Sequence, residues 1–320
     1  MKCLICGDKI KPLVRDLFDD RYGAPGRYSI YQCQKCGFGR ITPSLNEKET
    51  GNFYAQYYPL GSATPALVKN SVRILPKWKA WLLGVNNISH HYIKTGAKIL
   101  DVGSASGVSL LEIKKLGGIA YGVEPDPTAG KLARKLKIKV HTGFITDNPF
   151  PGQKFDAITS SQVIEHTPDP RRFLEAAAKR LNKGGVFILS FPNFDAVYRR
   201  IFGRRWLHWH VPYHYNFFTK GSFTQLATQA GLRVIKIKTV TPNLWTIIQL
   251  RTLFKKPVEG KTGTIWAVQH GHKQTESWRF GRVIMTVIQV IASLLIGFVN
   301  RIIDMLGQGE SFVVWLERKQ

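Results

Sequence analysis

The sequence predicts a doubly wound α/β domain preceded by a small four-cysteine module. Three observations carry this reading. Lys98–Val102 is a short apolar strand that runs into Gly103-Ser104-Ala105-Ser106-Gly107 and then a helical pattern from Val108 to Leu116, the order strand, glycine turn, helix. A second strand, Ile119 to Val123, ends in Glu124 about twenty residues after the turn. Two Cys-x-x-Cys pairs, Cys3/Cys6 and Cys33/Cys36, account for all four cysteines.

At 320 residues the chain exceeds the roughly 100–200 residues of one domain, so one full α/β domain with smaller modules is expected. Hydrophobic residues make up 44% and charged residues 21%, which excludes a disordered chain. Lys and Arg number 46 against 21 Asp and Glu, a formal charge of +25. Such a field favours nucleic acid, an anionic membrane surface or a phosphorylated substrate without choosing among them. The opening Met1-Lys2-Cys3-Leu4-Ile5-Cys6 has no apolar signal region, so a cytoplasmic location is expected. Thiols stay reduced there, and paired cysteines read as metal ligands rather than disulfides.

Residues 1–50 are read as a zinc ribbon. Each cysteine pair is followed at once by glycine, Gly7 and Gly37, which tolerates the left-handed backbone of a knuckle presenting two sulfurs to one ion. Cys3, Cys6, Cys33 and Cys36 would complete a tetrahedral thiolate shell with no open position, so the Zn2+ would be structural. A β-ribbon is expected at Tyr28 to Gln32. Residues 51–97 are read as a helical linker or cap, with Tyr57 or Tyr58 as a minor candidate to close the active site.

Residues 98–320 form the main domain, with insertions at about 194–218 and 242–308. Small residues at 103, 105 and 107 let backbone approach a ligand, and the helix start offers free N–H groups to a carboxylate or phosphate. Glu124 is placed to accept both hydroxyls of a ribose. The dinucleotide pattern would want glycine at 105 and 108, where Ala105 and Val108 stand, so NAD is the runner-up ligand.

Asp101-Val102-Gly103-Ser104-Ala105-Ser106-Gly107 and Tyr121-Gly122-Val123-Glu124-Pro125-Asp126 resemble the first two motifs of class I S-adenosylmethionine-dependent methyltransferases. Phe155 through Glu165-His166 and Leu181-Asn182-Lys183-Gly184-Gly185 through Ser190 resemble that family's fourth and fifth strands. The resemblance implies a Rossmann-like seven-stranded sheet with an antiparallel last strand, Ser311 to Glu317. It implies that Gly103, Ala105 and Gly107 lie along the methionine portion of the cofactor, that Asp101 positions the loop and that Glu124 holds the ribose. Ser160 is a further cofactor contact, and Phe144 and Ile145, just after the strand Lys139 to Thr142, would flank the adenine. Many relatives carry an acidic residue after that strand; here Phe144-Ile145-Thr146 occupies the region.

Methyl transfer is an in-line displacement at a carbon activated by the sulfonium, so the protein mainly aligns the acceptor and removes a proton where required. After the fifth strand comes a stretch dense in cations and aromatics, Arg199 through Tyr215, expected to roof the acceptor site. Tyr213-His214-Tyr215-Asn216-Phe217-Phe218 resembles the Glu-His-x-x-Tyr-Phe stretch that supplies the base in sugar C-methyltransferases, with Tyr213 in place of the acidic residue. His214 is the first candidate base and His210 the second, while His166 is read as structural or pocket-lining. Ser160-Ser161-Gln162-Val163 lacks the Asn/Asp-Pro-Pro-aromatic sequence of nucleobase amino-group methyltransferases, which argues against exocyclic base amines as acceptors.

Val283 through Val299 carries no charge. Its narrow polar stripe of Thr286, Gln289, Ser293, Gly297 and Asn300 favours a half-buried helix packed in the core or in a homodimer, ahead of interfacial contact with a membrane and of a bilayer span. Lys255, Lys256, Arg279, Arg282 and Arg301 would suit anionic head groups at the inner face of the cell membrane. The expected activity is methylation of an anionic sugar, glycan precursor or lipid-linked small molecule. A nucleic-acid methyltransferase or nucleic-acid binder is the alternative, and an NAD-dependent oxidoreductase ranks third.

Overall fold

The computed structural model describes residues 1–45, 64–85, 94–254, 256–263 and 293–319, together with Glu49, Gly51, Phe53, Gln56 and Tyr57. Its centre is a seven-stranded sheet. Five strands run parallel: β4 (Lys98–Val102), β5 (Ile119–Glu124), β6 (Lys139–Thr142), β7 (Phe155–Ser161) and β8 (Leu181–Pro192). With β10 (Leu232–Val240) and β11 (Ser311–Arg318), the spatial order is β10-β11-β8-β7-β4-β5-β6. Strand β11 is antiparallel to both β10 and β8. The expected Rossmann-like sheet with an antiparallel last strand is therefore present.

The central strands of the sheet are buried on both faces, which is why they read as apolar runs, while the edge strand β6 is not. Leu100, Ile158, Phe187, Leu189 and Val314 are fully buried, each contributing about 2 kcal/mol through removal from water. Two crossover helices begin with the same local device. Asp126 caps Pro127–Lys135 by accepting from Thr128 N–H at 2.8 Å, and Asp169 caps Pro170–Arg180 by accepting from Arg172 N–H at 3.0 Å. In each the proline occupies the first helical turn, where a missing N–H costs nothing. Residues 182–185 form a bulge inside β8: Phe155 pairs Leu181, and Ala157 already pairs Val186.

A second, antiparallel sheet is built from β1 (Ile10–Leu17), β2 (Tyr28–Cys33), β3 (Gly39–Thr42) and β9 (Asn216–Phe217). Its fourth strand comes from the insertion, with Gly39 opposite Phe217 and Arg40 opposite Asn216. The cysteine module also shares the main core: Cys3, Ile5, Cys33 and Phe38 pack with Phe218, Phe223 and Leu226. Gln229 donates to Ile5 O at 2.9 Å from the helix Lys220–Gln229.

Between the two sheets' sequences lie the helices Pro65–Ser71 and Lys77–Leu83. Tyr57 packs its ring on Phe53, and Tyr58 is outside the described residues. Of the apolar segment, 283–292 is outside the described residues, and 293–305 is helical. The described part of the polar stripe, Ser293, Gly297 and Asn300, faces inward: Asn300 is fully buried, accepting from Tyr198 Oη at 2.8 Å and donating to Asn243 Oδ1 at 3.0 Å. The apolar side is exposed, with Phe298 at 67%. Arg301, expected to meet head groups, is instead buried, its guanidinium donating to the carbonyls of Trp81, Leu82 and Thr241 and pairing with Asp304. Lys255, Arg279 and Arg282 are outside the described residues. No helix among the described residues is long and apolar enough to cross a membrane.

Candidate active site

The chain's crossovers diverge between β4 and β7, and a crevice opens at the carboxyl ends of these strands, where open α/β sheets bind ligands. It is a cavity of about 300 Å³ lined by Asp101, Gly103 to Ser106, Val108, Ser109 and Thr159 to Ser161. The turn is held by Gly103 and Ser104 N–H donating to Val123 O at 2.8 and 3.2 Å. Gly103 stands at φ +79, and a Cβ there would lie 2.3 Å from Val163 Cγ2, so both backbone and space demand glycine. Asp101 is buried, accepting from Thr159 Oγ1 at 2.7 Å and from Ser109 Oγ, which ties β4 to β7 and to the following helix. Burial pushes its carboxyl above the ordinary range.

Ala105 adopts a positive φ of 42 without glycine's freedom. Its N–H donates to Glu124 Oε2 at 2.8 Å, and Asp126 N–H donates to Oε1 at 3.1 Å. Two of the roughly four acceptor positions of Glu124 are thus used in shaping the turn, and the others stay available. Burial raises its pKa too. Gly107 starts the helix Val108–Lys115 at φ +86. Phe144 and Ile145 are not in the crevice lining. They connect to it through Gly143, whose N–H donates to Glu124 O at 3.0 Å; Phe144 is 47% exposed and Ile145 buried. Ser104 Oγ and Ser160 Oγ are buried with no hydrogen-bond partner among the described residues. An unpaired buried hydroxyl costs about 1–3 kcal/mol, so a polar ligand in this crevice would complete both.

The four sulfurs cluster at the other end of the small sheet. Cys3 and Cys36 Sγ are 3.5 Å apart, Cys6 and Cys33 Sγ 3.4 Å. Gly7 and Gly37 take φ +74 and +77, and their N–H groups donate to Cys3 O and Cys33 O. Four sulfurs bonded to one ion at about 2.3 Å stand about 3.8 Å apart, so the set can hold a tetrahedral metal with little rearrangement.

The insertion packs as an aromatic and imidazole interior with its cations outside. Trp206, Tyr213, Tyr215, Phe217 and Phe218 are buried, whereas Arg204 and Arg205 are exposed. His214 lies 4.6 Å from His166 and 4.8 Å from His210 between ring centroids. His214 Nδ1 meets His208 O at 2.8 Å, and His166 Nδ1 meets Tyr213 O at 2.9 Å. A carbonyl only accepts, so each Nδ1 carries its proton and each Nε2 is the lone-pair nitrogen of the neutral ring. Burial holds all three imidazoles neutral, with His166 lowered to about 4 and His210 and His214 well below their usual value; Arg21 adds to the effect on His210 and His166 on His214.

Residues that sequence reasoning did not single out complete this cluster. Glu165 is fully buried, and burial pushes its carboxyl up to about 8. One of its carboxylate oxygens lies within 4.8 Å of a ring nitrogen of His166 and of His214. His208 pairs with buried Glu310 at 3.0 Å, and Trp206 Nε1 donates to the same carboxylate at 3.0 Å. Arg21 reaches over from the cysteine module to Leu207 O. The nearest sequence signal is the Glu-His ending after the fourth strand, Glu165-His166.

A second cavity, of about 720 Å³, lies against this cluster. Its walls are Leu17, Phe18, Trp206, Trp209, Val211 and Val258, with Arg204, Arg205, Lys256 and Lys261 against Asp16 and Asp20. His210 lines it; His214 does not.

A family model described as a methyltransferase domain matches residues 79–237. A ubiquinone biosynthesis O-methyltransferase of Coxiella burnetii is 27% identical over 216 residues, covering 62% of this chain and 88% of its own. One of Dinoroseobacter shibae is 26% identical over 215 residues, covering 62% and 86%. Among solved structures the cyclase SpnF shares the fold, with a TM-score of 0.51 at 14% identity over 86% of this chain and 97% of that one. The sheet, with its antiparallel last strand, and the domain match define a class I methyltransferase domain. The chain is an S-adenosylmethionine-dependent methyltransferase, and the nicotinamide alternative falls with that finding.

Proposed function

We propose that the enzyme methylates an anionic, lipid-linked small molecule or glycan precursor that enters the 720 Å³ cavity. The observation carrying this reading is a cavity that joins apolar walls to four cationic side chains beside a buried histidine cluster. S-adenosylmethionine, seated in the crevice between β4 and β7, supplies an electrophilic methyl group. Ser104, Ser160 and the turn at 103–107 would hold its amino-acid portion, Glu124 its ribose, and Phe144 and Ile145 its adenine. Asp101 acts through Ser109 and Thr159 to keep the turn in place. Of the two candidate bases, His210 is favoured over His214, because His210 lines the cavity and can take a proton from an acceptor held there. Cys3, Cys6, Cys33 and Cys36 would hold a structural zinc ion that fixes β2 and β3 beneath the insertion.

The lipid-linked class is supported by an exposed apolar surface made of neighbouring helices. Trp78, Trp81, Leu294, Leu295, Phe298 and Met305 are exposed, with Lys77 and Lys79 alongside. Exposed patches of this kind mark interaction sites, and tryptophan beside lysine suits an anionic bilayer surface. Sedimentation with phosphatidylglycerol vesicles, but not phosphatidylcholine vesicles, is expected, and lost in Trp78→Ser/Trp81→Ser.

The activity test incubates the full chain with labelled cofactor and either the lipid or the aqueous fraction of a cell extract. A product heavier by one methyl group in the lipid fraction supports the reading. Label confined to the aqueous fraction or to nucleic acid overturns it.

A further inference from the structure

We propose that Glu165, His166 and His214 form a second, oxygen- and nitrogen-ligated site for a divalent transition-metal cation, separate from the four cysteines. One ligand atom from each residue lies within 4.8 Å of the other two. Two ligands on one ion at about 2.0–2.2 Å stand no more than about 4.4 Å apart. His166 Nε2 and Glu165 Oε1 are already at 4.0 Å, so small side-chain rotations complete the set.

Three features fit a cation and are independent of one another. Both oxygens of the fully buried Glu165 carboxylate lack a hydrogen-bond partner among the described residues, and a buried carboxylate without partners is costly unless a cation meets it. The imidazoles of His166 and His214 are oriented by Nδ1–H bonds to backbone carbonyls, the outer-shell arrangement that fixes metal-binding histidines with Nε2 presented. The set itself, two imidazoles and one carboxylate, suits first-row divalent ions and leaves coordination positions open. His210, the cavity-lining ring, is the neighbour of both, at 4.8 and 6.2 Å between centroids.

The test uses the full chain with its cysteines loaded with zinc and titrates it with cobalt(II). One further equivalent is expected, with visible d–d bands and without the near-ultraviolet charge-transfer band of thiolate ligation. Glu165→Gln and His214→Asn should each weaken it at least about tenfold, while zinc at the cysteines stays at one per chain and a wild-type circular-dichroism spectrum and melting transition report a folded protein. His141→Asn, which alters a half-buried histidine beside Asp147, should bind as wild type does. A measurement on unaltered protein covers variants that do not fold: the cobalt form should show two hyperfine-shifted imidazole N–H protons, those of His166 and His214. No uptake beyond the cysteine site, equal uptake by the folded variants, or no shifted imidazole protons would overturn the assignment.

Discussion

Every side chain lining the cofactor crevice lies between positions 101 and 161, whereas the larger cavity draws its walls from residues 16–20, 204–211 and 252–263. The crevice is made by consecutive strand ends of one parallel sheet, with contacts such as Ala105 to Glu124 spanning 19 residues. The segments that wall the cavity are joined by contacts such as Arg21 to Leu207, 186 residues apart and next to the lining residues Asp20 and Trp206. A local motif forms the crevice proposed for the donor, and a long-range assembly forms the cavity proposed for the acceptor. One can therefore be damaged without the other.

Stripping the metal from the cysteines, or Cys33→Ser, should separate the two regions most sharply. Structural zinc sites contribute on the order of 10 kcal/mol to folding, so residues 1–45 should become protease-sensitive and the proposed acceptor cavity should lose a wall. Binding of S-adenosylhomocysteine, read by calorimetry, should persist. If it vanishes in parallel, the regions form one cooperative unit and the contrast is broken.

Gly103→Ala attacks the other side. Left-handed backbone with a Cβ pressed on Val163 should cost about 3 kcal/mol, lowering the melting temperature and abolishing cofactor binding while zinc content stays unchanged. Glu124→Ala removes the proposed ribose contact and the partner of Ala105 N–H; about 2 kcal/mol, or roughly 30-fold weaker S-adenosylhomocysteine binding, is expected. Equal binding by the variant would remove Glu124 from the cofactor site. Smallest of all, Arg204→Gln with Arg205→Gln should raise KM for an anionic acceptor about threefold. High salt should erase that difference, and an effect on cofactor binding instead would misplace these cations.

The same contrast explains what could be read in advance. Strand, glycine turn and acidic strand end lie in one run from Lys98 to Glu124, and the apolar run at 311–317 announced the antiparallel strand, because each depends on neighbours in sequence. Glu165 could not be read as a partner of His214, since nothing local shows that a residue after β7 meets one 49 positions later. Asn216 and Phe217 look like part of an aromatic insertion until they are seen to extend β3. The inward turn of Asn300 and the burial of Arg301 likewise depend on Tyr198, Asn243 and Asp304, residues no periodicity links. Periodicity marked a polar stripe on that helix but carried no sign of which side faces water.

Strand β9 is only two residues long, yet it binds the insertion to the amino-terminal module. In chimaeras between related enzymes, exchanging residues 1–45 alone would mismatch the edge that Asn216 and Phe217 join. Module and insertion would have to be inherited together, so substrate choice should travel between relatives as a pair of segments far apart in the gene, while the donor-binding core between them is kept.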